Sequence, residues 1–364
     1  MMSYYAQAQL LGPIMDRFGG GEEAVGWLFS LENSALALST LAAAGPLAKL
    51  SRVKTAFAGG VLVAVGNVGA ALAGSYETLV LTRLLVGIGA GMTGAAGTAA
   101  VASGREPQRV FAIVTVSWGL LGAAEPTLLA YVIEPFGATG GFLFLAGVGL
   151  LIMPTFTWLL PPRKATERSP SIWAAPNLRL ALVAMGALLV FEIGQGGVYT
   201  FIAQIGEHSG LDGYQVGNTM TGTGIAGLVG GVIAAWLGGR FGRNWPIAIG
   251  ITLNVVAAAG LALGDDAVSY IGLNFLWNAA YYFVVPYLMG ALAAMDDLGR
   301  WAVASDGAWT LGDALGPGVA GTLVGWGGYG PLAGMALLSG FTCLVVLSLV
   351  LRAFDSQQEA AAGG

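Results

Sequence analysis

Apolar runs of about 20 residues recur along the whole chain, separated by short breaks that contain charge, proline or glycine. A helix of roughly that length is what crosses the hydrocarbon core of a bilayer. Only 10 % of the 364 residues are charged, against about 25 % in soluble domains, and 56 % are hydrophobic. The sequence therefore predicts an all-α polytopic membrane protein and excludes a soluble enzyme, a disordered chain and a nucleic-acid binder.

The breaks divide the chain into eleven predicted full spans, at 24–48, 55–74, 77–102, 110–133, 140–160, 180–204, 214–238, 246–264, 268–294, 301–325 and 330–352. The apolar piece Met1–Leu11 in front of them is too short to cross, and 12–23 is predicted to be a polar loop. We expect Met1–Leu11 to be the outer end of a first helix whose beginning is absent. The alternative is a natural start here, with the stub lying in the membrane interface.

Basic residues collect on one side of the membrane if the loop at 49–54 is cytoplasmic and the sides alternate from there. That side then holds 13 of the 15 basic residues, namely Lys49, Arg52, Lys54, Arg105, Arg109, Arg163, Lys164, Arg168, Arg179, Arg240, Arg243, Arg300 and Arg352. Lysine and arginine are enriched in cytoplasmic loops. We therefore expect a multi-pass protein of the cell inner (plasma) membrane with a cytoplasmic C-terminus.

Proline, serine and charge cluster at residues 161–179 as nowhere else, which is typical of a linker. With the partial first helix counted, six helices precede this stretch and six follow it. The predicted organisation is an N-terminal bundle over 1–160, a cytoplasmic linker over 161–179, a C-terminal bundle over 180–352 and a disordered cytoplasmic tail over 353–364.

Two loops at matching positions in the halves look alike. One follows the span 24–48 and contains Gly45, Arg52 and Lys54, and the other follows the span 214–238 and reads Leu-Gly-Gly-Arg-Phe-Gly-Arg over 237–243. A basic, glycine-containing turn at the same place in each half is typical of a duplicated transporter fold.

This arrangement resembles the major facilitator superfamily, in its bacterial drug or metabolite type. The family's loop pattern is Gly-x-Leu-Ala-Asp-Arg-x-Gly-Arg-Arg/Lys, which the second loop matches at Arg240, Gly242 and Arg243, while the first loop lacks the acidic residue. Arg83 and Gly87 similarly match the family's Arg-x-x-Gln-Gly pattern, with valine in place of glutamine. The resemblance implies alternating access, in which the two halves rock about a central cavity and these loops control the conformation.

Gly316 and Pro317 lie in a glycine-rich part of the span 301–325. A proline inside a helix removes a hydrogen bond and bends it, so this pair is a candidate gate. Close packing of helices at small residues is the alternative.

Ionisable residues inside predicted spans are the candidates for proton coupling, because a charge at the bilayer centre costs roughly 2.5–3.5 kcal/mol. These candidates are Glu32, Arg83, Glu125, Glu192 and Asp313. Arg83 is expected to pair with an acid such as Glu32 or Glu125, and by resemblance to take part in proton transfer. The alternative for Arg83 is that it snorkels to the interface.

Polar and aromatic residues at helical spacing form stripes on three spans. The resulting candidates for a substrate cavity are Trp118, Gln195, Tyr199, Asn274, Trp277, Asn278 and Tyr281. Apolar walls with a few placed polar and aromatic groups suit an amphiphilic or aromatic organic solute. The alternative is interhelical hydrogen bonding together with an interfacial aromatic belt.

We therefore expect a secondary transporter of a small organic solute that is driven by a proton gradient, because the acids outnumber the bases inside the spans. A membrane sensor or scaffold of the same shape that does not transport is the alternative. The chain has no Walker loop, one cysteine and one histidine, so we expect no enzyme activity, no cofactor and no metal site. The expected partners are the lipid bilayer, a small-molecule substrate and protons, without nucleic acid, and the expected state is a monomer.

Overall fold

The computed structural model describes residues 2–44, 51–102, 107–158, 175–296 and 300–362. These residues form eleven α-helices and a 3-10 segment at Met153–Trp158, and none of them forms a strand. The helices are α1 (Met2–Phe18), α2 (Glu22–Ala44), α3 (Arg52–Leu72), α4 (Tyr76–Ala102), α5 (Pro107–Ile152), α6 (Leu178–His208), α7 (Gly213–Leu237), α8 (Asn244–Leu263), α9 (Ala267–Ala293), α10 (Arg300–Gly327) and α11 (Tyr329–Ala362).

The predicted all-α membrane fold is confirmed, and two of the predicted spans are joined. Helix α5 joins the predicted span 110–133 to the first part of the span 140–160, as far as Ile152, with a break at Gly137, where φ is 58° and ψ is −153°. Only glycine adopts such a backbone readily, so the chain changes direction there without a loop. Eight helices in the described part of the chain are long and apolar enough to cross a membrane, with α5 counted once.

The predicted polar loop over 12–23 is wrong for most of its length, because α1 continues to Phe18 and α2 begins at Glu22. Tertiary contacts stabilise the extra turns. Ile14 is fully buried, and the guanidinium of Arg17 donates to the carbonyl oxygens of Ala71 (2.9 Å) and Ala73 (2.8 Å). Only Gly19, Gly20 and Gly21 remain to make the turn.

The predicted disordered tail over 353–364 is also wrong as far as Ala362, because α11 continues to that residue. Its sequence after Ser356 is rich in glutamine, glutamate and alanine, which are good helix formers. Phe354 is buried, and Asp355 forms an ion pair with Arg243. Extending a helix that is already formed and anchored costs little.

The chain divides into two compact units. The first comprises Met1–Arg168 with Asp212–Thr221, and the second Ser169–Leu211 with Gly222–Gly364. In the first unit α4 packs against α2 and α3, and α5 packs against α1 and α3. In the second unit α6 packs against α10 and α11, and α8 packs against α9 and α11. The predicted linker lies outside the described residues as far as 174.

The apolar core of the second unit is built from buried side chains on six helices, α6 to α11. Phe191, Ile251, Val284, Leu288 and Leu347 are all buried in one apolar cluster. Packing in this core fixes how far α6 and α9 are shifted along their axes and which face each of them turns inward. These two helices carry most of the predicted cavity residues.

Acidic residues close the N-termini of two helices. Asp212 accepts the backbone N–H of Gln215 (2.8 Å), and the Gln215 side chain accepts the backbone N–H of Asp212 in return (3.0 Å). Asp266 accepts the backbone N–H of Ser269 (2.9 Å) at the start of α9. Such caps satisfy backbone donors that the first turn leaves unpaired, so they define where α7 and α9 begin.

Candidate functional site

A buried ion pair joins α2 and α4 in the first unit. Arg83 donates from Nε to Glu32 Oε2 (2.9 Å) and from Nη2 to Glu32 Oε1 (2.6 Å). Both side chains are at most 2 % exposed, so Arg83 does not snorkel. The prediction that Arg83 pairs with an acid is confirmed, and the acid is Glu32 rather than Glu125.

The same guanidinium has two further acceptors and an aromatic ring beside it. Its Nη1 donates to Asn67 Oδ1 (2.9 Å), and its Nη2 donates to Ser3 Oγ (2.6 Å). The ring of Phe142 lies 5.3 Å from the guanidinium carbon. Four helices and the C-terminal part of α5 thus hold one cation, an arrangement that satisfies a buried charge with a bidentate partner and neutral acceptors.

Gly87 explains why α2 and α4 can come this close. A Cβ at Gly87 would collide with the carbonyl oxygen of Glu32. Because glycine has no Cβ, the two helix backbones approach at the depth of the ion pair. Asn33, the next residue of α2, exchanges side-chain hydrogen bonds of 2.9 and 3.2 Å with Gln7 of α1.

Glu125 is buried on α5 of the same unit, with 2 % of its surface exposed. Within the described residues neither of its carboxylate oxygens has a hydrogen-bond partner. Its neighbour Pro126 accepts a hydrogen bond from Gln9 Nε2 (3.0 Å). The side chain of Trp118, predicted to share this face, lies outside the described residues.

A second buried acid lies in the second unit. Glu192 on α6 is 1 % exposed. Its carboxylate accepts the hydroxyl of Tyr281 on α9 (3.2 and 3.3 Å), and that hydroxyl accepts the indole N–H of Trp309 on α10 (2.9 Å). The ring of Phe191 is stacked with that of Tyr281, with centroids 6.4 Å apart. Three helices therefore meet at one carboxylate.

Glycines bring α10 against α6 at this point. A Cβ at Gly312 would collide with Cβ of Glu192, and one at Gly316 would lie 2.8 Å from the backbone nitrogen of Gly197. Asp313 follows Gly312, and its Cα lies 3.4 Å from the Cβ position of Gly196. Asp313 is close enough to Glu192 to interact with it electrostatically.

A second side-chain contact between α6 and α9 joins Gln195 and Trp277. The indole N–H of Trp277 donates to Gln195 Oε1 (2.8 Å), and the ring of Tyr199 is stacked with the Trp277 ring at 6.5 Å. Gln195 is 4 % exposed, and its Nε2 has no hydrogen-bond partner among the described residues. The sequence-predicted stripes on α6 and α9 thus face each other.

The two predicted asparagines on α9 have different surroundings. Asn274 is fully buried. Asn278 donates to the carbonyl oxygen of Thr223 on α7 (2.8 Å). Asn278 therefore links α9 to α7, and its place in a substrate cavity stays a prediction.

The second basic loop is held by aromatic and acidic partners. Gly242 has a φ of 66°, which the loop needs in order to turn. The Arg240 guanidinium lies 5.3 Å from the ring centroid of Trp236, and Arg243 pairs with Asp355 of α11. The loop is thereby attached to two helices of its own unit.

The first basic loop is described only from Ser51 onward, and Gly45 lies outside the described residues. Ser51 caps α3 by accepting the backbone N–H of Lys54 (3.4 Å), whose side chain is exposed. Arg52 is buried at the start of α3. Pro317 lies inside α10, which is helical on both sides of it, and its role as a gate stays a prediction.

Sequence reasoning missed three residues of these clusters. Two of them could have been found from the sequence. Asn67 is a single amide in an otherwise apolar span, and Trp309 lies one helical turn before Asp313 and therefore on the same helix face. Nothing in the sequence pointed to Ser3, because its contact with Arg83 depends on how α1 packs.

Comparison with known proteins agrees with this architecture. The sequence profile of the Major Facilitator Superfamily matches residues 1–295. The chain is 26 % identical over 306 residues to the uncharacterized MFS-type transporter YbcL of Bacillus subtilis, covering 81 % of this chain and 77 % of YbcL. It is 27 % identical over 301 residues to the inner membrane transport protein YdhP of Escherichia coli K12, covering 78 % and 75 %.

Solved transporters share the fold. The nucleoside transporter NupG superposes with a TM-score of 0.77 at 12 % identity, covering 97 % of this chain and 96 % of NupG. A POT family transporter in complex with a thioalcohol-conjugated peptide gives 0.76 at 13 % identity, covering 96 % and 93 %. The family profile, the two relatives and the shared fold lead to one conclusion: this multi-pass membrane protein belongs to the Major Facilitator Superfamily and is a transporter.

Proposed function

We propose that the protein is a secondary active transporter of a small organic solute, working as a monomer by alternating access and driven by protons. The solute is drug-like, aromatic or a metabolite. The observation that carries the proton coupling is Glu125, a buried acid whose two oxygens have no hydrogen-bond partner among the described residues. A charge held in such a place is costly, and a proton removes that charge.

Glu192 and Asp313 support the same proposal in the second unit. They bring two carboxyl groups within electrostatic range inside the membrane-spanning helices. Two neighbouring acids are suited to binding and releasing a proton as their surroundings change between conformations. The Arg83–Glu32 pair differs from them, because there a fixed guanidinium already balances the acid.

The test uses purified full-length protein in vesicles loaded with pyranine, whose fluorescence reports internal pH. An inward pH gradient is imposed and a panel of amphiphilic and aromatic solutes is added one at a time. We expect at least one solute to accelerate dissipation of the gradient. The acceleration should disappear in the triple variant Glu125→Gln, Glu192→Gln, Asp313→Asn.

Asp306→Asn is the matched control, since Asp306 is an acid on α10 that is exposed. This variant should behave as the unmodified protein does. Solute-dependent proton movement that is unchanged in the triple variant would contradict proton coupling through these acids. Solute binding without any flux would contradict transport and favour a sensor or scaffold.

A further inference from the structure

We propose that the second unit binds an organic cation at Glu192, Tyr281, Trp309, Asp313 and Phe191, which we call the aromatic–acid cluster. The cation carries a hydrogen-bond acceptor that reaches Gln195. The inference rests on the proposed function, because it makes this cluster part of the solute path and names the class of solute.

The first argument is the charge balance inside the second unit. The sequence has no lysine, arginine or histidine at 180–207, 209–239, 244–299 or 301–351, so the only base inside one of its helices and away from a helix end is Arg352, in the last three turns of α11. Glu192 is buried among them, and its described partner is the neutral hydroxyl of Tyr281. A buried carboxylate has to be compensated by a positive charge or neutralised by a proton, and here either has to come from outside the chain.

The second argument is the set of rings around the carboxylate. Tyr281 is stacked with Phe191 and meets Tyr282 edge to face, with centroids 6.4 and 5.5 Å apart. Trp309 is joined to the Tyr281 hydroxyl. The faces of tryptophan and tyrosine attract ammonium and guanidinium groups. Among the described residues no group of three or more acids, histidines or cysteines could hold a metal ion, which favours an organic cation.

The third argument is the unpartnered donor of Gln195. Its Oε1 is occupied by the indole N–H of Trp277, which fixes the orientation of the amide and leaves Nε2 buried without an acceptor. Gln195 follows Glu192 by three residues, or about 4.5 Å along the axis of α6. Buried donors are normally satisfied, so an acceptor on the ligand at that distance from its cationic group would complete the site.

The cluster also has a reachable edge. Glu192 and Gln195 are buried, whereas Tyr281, Trp309 and Asp313 are half-buried. A ligand can therefore approach over the rings and reach the carboxylate behind them. This layering of apolar walls over a few oriented polar groups is typical of small-molecule sites.

The test compares three solutes by calorimetric titration of the full chain in lipid nanodiscs at one neutral pH. They are 3-acetyl-N,N,N-trimethylanilinium, its neutral isostere 3-tert-butylacetophenone, and N,N,N-trimethylanilinium, which lacks the acceptor. We expect the acetylated cation to bind at least about tenfold more tightly than the neutral isostere, and more tightly than the cation without the acetyl group.

Variants assign these preferences to residues. Glu192→Gln should abolish the preference for the cation, whereas Glu192→Asp and the control Asp306→Asn should retain it. Gln195→Leu should abolish only the preference for the acetyl group. Elution as a single monodisperse peak and an unchanged helical circular dichroism spectrum confirm that each variant is folded.

Equal affinity for the cation and its isostere, no binding of either, or a cation preference that survives Glu192→Gln would overturn the inference. These results are distinguishable from failure of the proposed function. Charge-selective binding without solute-driven proton movement would remove the proposed function and keep the inference. Proton-driven movement of neutral solutes without any preference for cations would keep the proposed function and remove the inference.

Discussion

At the scale of single residues, the Arg83–Glu32 pair allows a prediction about the free energy of unfolding. Replacing Arg83 alone with methionine leaves the Glu32 carboxylate buried without its cation, and we expect this to cost roughly 3–5 kcal/mol of unfolding free energy. The double variant Glu32→Met, Arg83→Met removes both charges and should recover most of that loss. Unfolding by denaturant in detergent micelles measures both values.

The order of these two variants decides the interpretation. A double variant as unstable as Arg83→Met would mean that Asn67, Ser3 and the ring of Phe142 depend on the guanidinium itself. That result would contradict the assignment of the loss to an uncompensated charge.

Asp266 provides a pH-dependent test at the start of α9. The Ser269 hydroxyl, followed by the Ser269 backbone N–H, holds the pKa of this exposed carboxyl below its ordinary value of 3.8. Its stabilisation is therefore present above that value and is lost as the pH falls through the lowered pKa. We expect Asp266→Ala to lower the melting temperature at neutral pH, and the difference to shrink as the pH falls below 3.8.

The neighbouring exposed residue Asp265 offers a matched control, since the described Ser269 amide bonds to Asp266. Asp265→Ala should change the melting temperature little at any pH. A deficit in Asp266→Ala that stays constant across the titration would show that the cap does not depend on the carboxylate charge.

At the scale of helices, the contact between α6 and α10 depends on Gly312. A methyl group there meets Cβ of Glu192 and lies 3.1 Å from the carbonyl oxygen of Leu189. We expect Gly312→Ala to cost about 1–3 kcal/mol, the usual penalty of overpacking. Gly307→Ala is the control on the same helix, because nothing lies within 4 Å of its Cβ position.

Gly307→Ala should be neutral or stabilising by up to about 1 kcal/mol, because alanine favours the helix. Thermal unfolding of both variants in the same detergent makes the comparison. Equal destabilisation would mean that α10 tolerates no side chain at either position and that close approach at Gly312 is not the cause.

How far sequence reasoning reached depends on whether a feature is local. Hydrophobic length predicted the helices but divided α5 into two spans, and the isolation of Arg83 among apolar residues predicted a buried pair. Choosing Glu32 over Glu125 required the packing of α2 against α4, which no spacing within one helix contains. The extended end of α1 was missed for the same reason, since Arg17 bonds to a distant part of the chain. The end of α11 was missed although the residues after Ser356 are good helix formers, and Phe354 anchors it in the apolar cluster.

At the scale of the whole molecule, the distribution of basic residues predicts that the linker at 161–179 and the turn at 240–243 lie on the same, cytoplasmic side. Cys343 is buried and is the only cysteine, so Cys343→Ala gives a background for single reporters. In intact cells we expect Ser169→Cys and Gly239→Cys to be protected from a membrane-impermeant maleimide, and Asp265→Cys to react. Labelling of only one of the first two would overturn the predicted topology.

The anchored end of α11 has a practical consequence for observing this transporter at work. Residues 353–362 add roughly 15 Å of helix, and the contacts of Phe354 and Asp355 with the second unit hold its base. A dye coupled at Gln358 would therefore move with that bundle, because the helix that carries it is fixed to the bundle at its base. Single-molecule energy transfer between such a dye and a second one elsewhere on the chain would then report motion of the bundle and not motion of the dye on its attachment.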